Sequence, residues 1–175
     1  MDRTPILRTV SIVIFCIAIT SCGYHFAGGE NNLPPDIRSI AVLVFENRSS
    51  EPGIENDFTN DLVYEFTRGK RLAIAEKDSA DAVLTGIIKQ LGSQAITYTK
   101  EVVAAEQRVY VILDVRLKRS DNGDVLWSDK SFTEKEEYTV VASDKAATEA
   151  NKRAAIKELS ERSAEKIHNR IFQNF

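Results

Sequence analysis

Histidine, cysteine, tryptophan and methionine are scarce in this chain, which holds two His, two Cys, one Trp and one Met in 175 residues. No Cys-x-x-Cys pair and no His-Glu-x-x-His stretch occurs, so the ligand spacings of common zinc sites are missing. No Gly-x-Ser-x-Gly stretch builds a strained nucleophile turn. Gly28-Gly29 is followed by neither a helix signal nor a lysine that would complete a phosphate loop. The carboxylate pairs Glu136-Glu137 and Asp57 with Asp61 are of a kind common on protein surfaces. Elimination therefore points away from an enzyme, and no cofactor or metal is expected. A net charge of −3 supplies no broad basic stripe, which argues against nucleic acid as a partner. The one long apolar run, residues 10–19, falls well short of the ~20 residues that a membrane-spanning helix needs.

What the N-terminus does contain is informative. Arg3 and Arg8 precede that short apolar run, and the small residue Ser21 leads into Cys22 and Gly23. A charged start, a short apolar core and small residues at the exit make a secretory signal peptide. Small residues followed by cysteine resemble the lipobox of bacterial lipoproteins. That resemblance implies cleavage between Ser21 and Cys22, with lipid on the Cys22 sulfur and on its new amino group. The alternative readings are a plain signal peptide that abuts a cysteine, or an uncleaved anchor. Cys16 lies inside the apolar run and leaves with it, so the mature chain would keep one acylated cysteine and no internal disulfide. Expected boundaries are residues 1–21 for the signal peptide, 22–36 for a lipidated tether and 37–175 for a single domain.

Within that domain, residues 39–45 (SIAVLVF) read as a buried strand. Residues 54–68 repeat an apolar side chain every fourth position, through Ile54, Phe58, Leu62 and Phe66, which predicts a helix stopped by Gly69. A short strand over 71–75 is expected next. Residues 82–99 carry strand signals, with Gly86 and Gly92 as points of bulge or close approach. Residues 108–119 alternate, with Val109, Val111, Leu113, Val115 and Leu117 on one face. Asp121-Asn122-Gly123 predicts a tight type I′ hairpin, and a return strand runs from Val125 to about Val140. A last helix starts near Asp144 as N-cap, with Ile156, Leu159, Ser163, Ile167 and Ile171 as its inner stripe. His168 lies among charged residues late in it. The order implies an α+β two-layer sandwich: two helices on one face of a mostly antiparallel or mixed sheet of four to five strands. The other sheet face is left to water or to a partner. Tyr98, Lys100, Arg108, Tyr110, Arg116, Lys118, Arg119 and Lys130 are either ordinary outward positions or cations and aromatics offered to phosphates and acidic sugars.

Taken in order, Cys22-Gly23-Tyr24-His25-Phe26, residues 39–55 from Ser39-Ile40-Ala41-Val42 through Phe45-Glu46-Asn47-Arg48 to Pro52-Gly53-Ile54-Glu55, Gly123-Asp124-Val125-Leu126-Trp127 and Ala147-Thr148-Glu149 resemble the LPS-assembly lipoproteins, LptE. The resemblance covers essentially the whole mature chain. It implies a lipid-anchored protein on the periplasmic side of the Gram-negative outer membrane. Such proteins plug and help assemble the large LptD barrel, which delivers lipopolysaccharide to the outer leaflet. Tyr98, Lys100 and Arg108 are the candidate contacts for barrel or lipopolysaccharide. The alternative is an envelope lipoprotein of the curli-secretion or TolB N-terminal type, similar over residues 40–47. That reading gives an oligomeric or partner-binding module that handles no lipopolysaccharide.

Overall fold

The computed structural model describes residues 33–98 and 104–173, which fall within one compact unit, Asn31–Phe175. Among the described residues six strands and two helices follow one another: β1 Ser39–Val42, β2 Glu46–Asn47, α1 Ile54–Gly69, β3 Ala73–Ile74, β4 Ala82–Tyr98, β5 Ala104–Arg119, β6 Val125–Thr139 and α2 Lys145–Phe172. The sheet order is β3-β1-β4-β5-β6, with β2 also on β4. β1 runs parallel to β3 and β4, while β4, β5 and β6 form an antiparallel meander. This is the expected α+β fold with a mixed sheet. Its strand count reaches six because β2 and β3 are two-residue strands.

The period-2 pattern of β5 sends Val109, Val111, Leu113, Val115 and Leu117 into the core, where none is exposed to solvent. Phe58, Leu62 and Phe66 of α1 and Leu159, Ile167 and Ile171 of α2 pack on that face. Burial of a large apolar side chain stabilises by ~1.5–3 kcal/mol, so this single layer of contacts dominates the fold's stability. Ser163 joins the stripe by donating to Leu159 O at 2.6 Å, which satisfies its hydroxyl inside the core. Asp144 caps α2 through its side chain, which accepts from Ala147 N–H at 3.0 Å.

Four expectations change. The apolar run 39–45 is not one strand: β1 ends at Val42, and Phe45 turns into the core across Gly86. A Cβ at Gly86 would overlap the Phe45 ring, and Phe45 N–H is taken up by Thr59 Oγ1 at 3.1 Å. The strand expected over 71–75 shrinks to Ala73–Ile74. In the β5–β6 hairpin only Gly123 takes a positive φ, of 76°, so the connection is not a type I′ turn, which needs two such residues. It is a longer loop closed by Arg119 N–H donating to Asp124 O at 2.9 Å. Finally, Gly69 is not the left-handed stop of α1. Lys70 takes that conformation (φ 51°), while Gly69 makes room for the His168 ring, whose Nε2 would lie 2.5 Å from a Cβ.

His168 is accordingly buried, between Phe66 and Phe172, with ring centroids at 5.1 and 4.9 Å. Aromatic rings flank it on two sides, and Glu65, Arg68, Arg71 and Asn169 also face it. The charged side of α2 is also more than a solvated face. Lys166 reaches Glu134 at 2.5 Å, Arg170 reaches Asp129 at 2.8 Å, and Arg162 pairs with Glu136. Three bases spaced four apart thus meet acids of β6 and close α2 onto the edge of the sheet.

Candidate functional site

The helices leave the second face of the sheet uncovered among the described residues. Along β5 this open face carries Arg108, Tyr110, Ile112, Asp114, Arg116 and Lys118, all half-exposed. Tyr110 lies flat across Gly92, where a Cβ would sit 2.6 Å from the phenol oxygen, and that hydroxyl accepts from Gln90 Nε2 at 2.7 Å. Close approach at Gly86 and Gly92, foreseen from strand glycines, therefore serves one aromatic ring on each side of the sheet.

Most cations here already hold a carboxylate. Arg116 grips Asp114 through two bonds, at 3.0 and 2.6 Å. Arg108 holds Glu137, with its Nε at 3.2 Å. Arg119 bridges Asp36 and Asp121, and its hydrogen bond holds the Asp36 carboxyl below the usual range. Asp81 is held low by Ser39 Oγ and by the backbone N–H groups of Arg38 and Ser39, which ties β1 to the start of β4. Lys118 differs: among the described residues it has no anionic partner. Its side chain stands between two shallow cavities, of about 270 and 520 Å³. Leu43, Val44, Val83 and Ile87 supply aliphatic walls to one or the other; Glu46, Asp114 and Arg116 also line the first, and Lys77, Asp78 and Arg119 the second. Val44 is 66% exposed. At the second cavity three cations to one carboxylate, with aliphatic Leu43 and Val83, suit an anionic amphiphile.

Of the residues singled out from sequence, Arg108 lies on this face but is neutralised by Glu137. Tyr98 is the last residue of β4. Ser21, Cys22 and Lys100 lie outside the described residues. Lys118 was only one of eight outward residues in the pattern. It shares with Lys130 the lack of an ion pair among the described residues; what marks it is its place on the two cavities, which depends on neighbours across strands.

A larger concavity, of about 860 Å³, lies in the other layer between α1 and α2. Five carboxylates and three cations line it, and most are paired: Lys157 binds Asp61 at 2.8 Å and Glu161 at 3.1 Å, and Arg68 binds Glu65 at 2.8 Å. The 47–55 loop is likewise structural. Asn47 donates to Glu51 O and Glu55 Oε2, both at 2.8 Å, and accepts from Ser49 N–H at 2.9 Å, while Lys152 of α2 clamps Glu51 at 2.7 Å. No group of three His, Cys, Asp or Glu among the described residues could hold a metal ion. No helix among them is long and apolar enough to cross a membrane.

Residues 37–171 match the family model for lipopolysaccharide-assembly, LptE. The chain belongs to the LptE family. Three solved structures share the fold. A lipoprotein B from Nitrosomonas europaea is 11% identical, with a TM-score of 0.59 over 82% of this chain and 87% of that one. A minor lipoprotein from Acinetobacter baumannii is 9% identical, with a TM-score of 0.54 over 79% and 92%. A protein from Xanthomonas campestris is 14% identical, with a TM-score of 0.53 over 77% and 87%. No curated protein matches in sequence. LptE membership gives this chain the role of a membrane-associated lipopolysaccharide-assembly lipoprotein.

Proposed function

We propose that the protein is cleaved before Cys22, lipidated there, and held at the periplasmic side of the Gram-negative outer membrane. There it plugs and helps assemble an LptD-type barrel without catalysing a reaction. The observation that carries this reading is the family match over essentially the whole fold. The surface agrees with it. Large barrel lumens are polar, and a plug needs a charged, hydrogen-bonding exterior of the kind seen on β5 and β6. Two or more acyl chains on Cys22 would hold the domain firmly where one would not.

The open face around Lys118 is the proposed contact for lipopolysaccharide, whose phosphates and acyl chains fit a cation set among aliphatic residues. Tyr98 and Arg108, at the far end of β4 and β5, and Lys100 are proposed to meet barrel wall or ligand. The test is copurification of lipopolysaccharide with the full chain. Lys118→Glu should lower ligand recovery severalfold and leave barrel recovery intact. Unchanged ligand recovery in Lys118→Glu and in the Lys100→Glu/Arg108→Glu double variant would remove the open face from the account.

A further inference from the structure

The two long edges of the sheet are built differently. β6, at one edge, carries Asp129, Lys130, Glu134, Lys135, Glu136 and Glu137, and charge on an exposed edge blocks pairing with another chain. The other edge is covered by β1 and β2 only as far as Ile88, whose carbonyl accepts from Arg48 N–H. Beyond that point β4 continues to Tyr98, and no other described strand pairs with its outer side. Residues 90–98, QLGSQAITY, hold no charge and no proline. An edge that long is ordinarily protected; among the described residues the protection here is limited to register shifts between Ala95 and Thr97 and between Thr97 and Tyr98, past the first six residues of the stretch.

The direction of its hydrogen-bonding groups follows from the ladder. Leu84 and Ile88 turn their carbonyls outward, to Leu43 and Arg48. The bulge at Lys89 shifts the alternation by one residue. Leu91, Ser93 and Ala95 then present their N–H and C=O groups outward, while Gln90, Gly92 and Gln94 bond to β5.

We propose that residues 90–98 form a strand-addition site that takes an extended, uncharged segment of the partner barrel. This rests on the barrel-plug reading above. A second copy of this chain is the weaker occupant on area. The strip is about 30 Å long and about 10 Å deep. Its ~300 Å² per side is well under the ~800 Å² per partner of a stable interface. A segment of a protein that also encloses the domain adds contacts of its own and needs only register from the edge.

The experiment places a photo-crosslinking amino acid at Gln94, and separately at Lys135 on β6, in the full lipidated chain in its own membranes. Gln94 should capture the barrel, with the adduct in an uncharged extended segment. Capture of the barrel from Lys135 alone would overturn the edge proposal and leave the plug reading standing. An adduct with a second copy would also overturn it. Failure to recover any barrel with the unsubstituted protein would remove the plug reading, and this proposal with it. Ser93→Pro deletes an outward donor without breaking the β4–β5 ladder, so barrel recovery should fall at least tenfold at an unchanged melting temperature. Unchanged recovery would refute the site. If that variant fails to fold, the Gln94 crosslink decides.

Discussion

Gly86→Ala tests how the sheet and the first loop are locked together. The Phe45 ring occupies the space that a Cβ on Gly86 would take, and Phe45 is only 2% exposed. Two responses are open to the ring. It can stay and strain its neighbours, at ~1–3 kcal/mol for overpacking. It can leave the core, which approaches the ~3–5 kcal/mol of a Phe→Ala truncation. The Phe45 backbone is pinned by its N–H bond to Thr59 Oγ1 at 3.1 Å, so the ring can leave only by rotating about its own side-chain bonds. The net loss should be about 3 kcal/mol, or roughly 6–12 °C in melting temperature for a chain of this size. Equilibrium urea unfolding followed by Trp127 fluorescence measures it. A double-mutant cycle sharpens the test. Once Phe45→Ala has emptied the space, adding Gly86→Ala should cost almost nothing more. A loss below ~0.5 kcal/mol for Gly86→Ala alone, or additive losses in the cycle, would refute the packing argument.

Three further outcomes follow from other contacts. Burial holds the His168 pKa below its usual 6.5, and Glu65, Arg68, Arg71 and Asn169 are the groups that face it; the unfolded state therefore binds the proton first. Stability should be level above pH 6.5 and fall as pH drops below it, and His168→Phe should remove that slope in urea titrations across the range. Lys70→Gly should stabilise by about 1 kcal/mol, because Lys70 occupies a left-handed conformation (φ 51°) that costs a side-chain-bearing residue, whereas Gly69→Ala should destabilise by driving into His168; thermal melts distinguish the two signs. Asn47→Ala should cost about 1–2 kcal/mol by releasing Glu51, Ser49 and Glu55 together, with no effect on ligand recovery in the copurification assay.

Periodicity made the long elements legible. The fourth-residue spacing in α1, the alternation of β5 and the Asp144 cap each state a local preference that the tertiary fold also needs. The misreadings share another cause. Residues 39–45 read as one strand because apolar content does not say where a chain leaves a sheet; the departure depends on Phe45 finding Gly86 on a strand 41 positions later. Gly69 looked like a helix stop because glycine favours left-handed backbone, but its missing side chain was needed for His168, 99 positions on. The charge pattern of α2 alone does not say that Arg162, Lys166 and Arg170 meet Glu136, Glu134 and Asp129 of β6. At the site, the outward residues of β5 were readable, but which cation lacks a carboxylate was not. That property belongs to neighbours across strands, and it shifted attention from Arg108 to Lys118.

The most direct measurement is affinity purification of the full lipidated chain from detergent-solubilised outer membranes, with subunit masses and stoichiometry determined. One large β-barrel recovered in equal amount is the predicted result. A homo-oligomer recovered alone, with no barrel, would contradict the plug and favour an oligomeric envelope module.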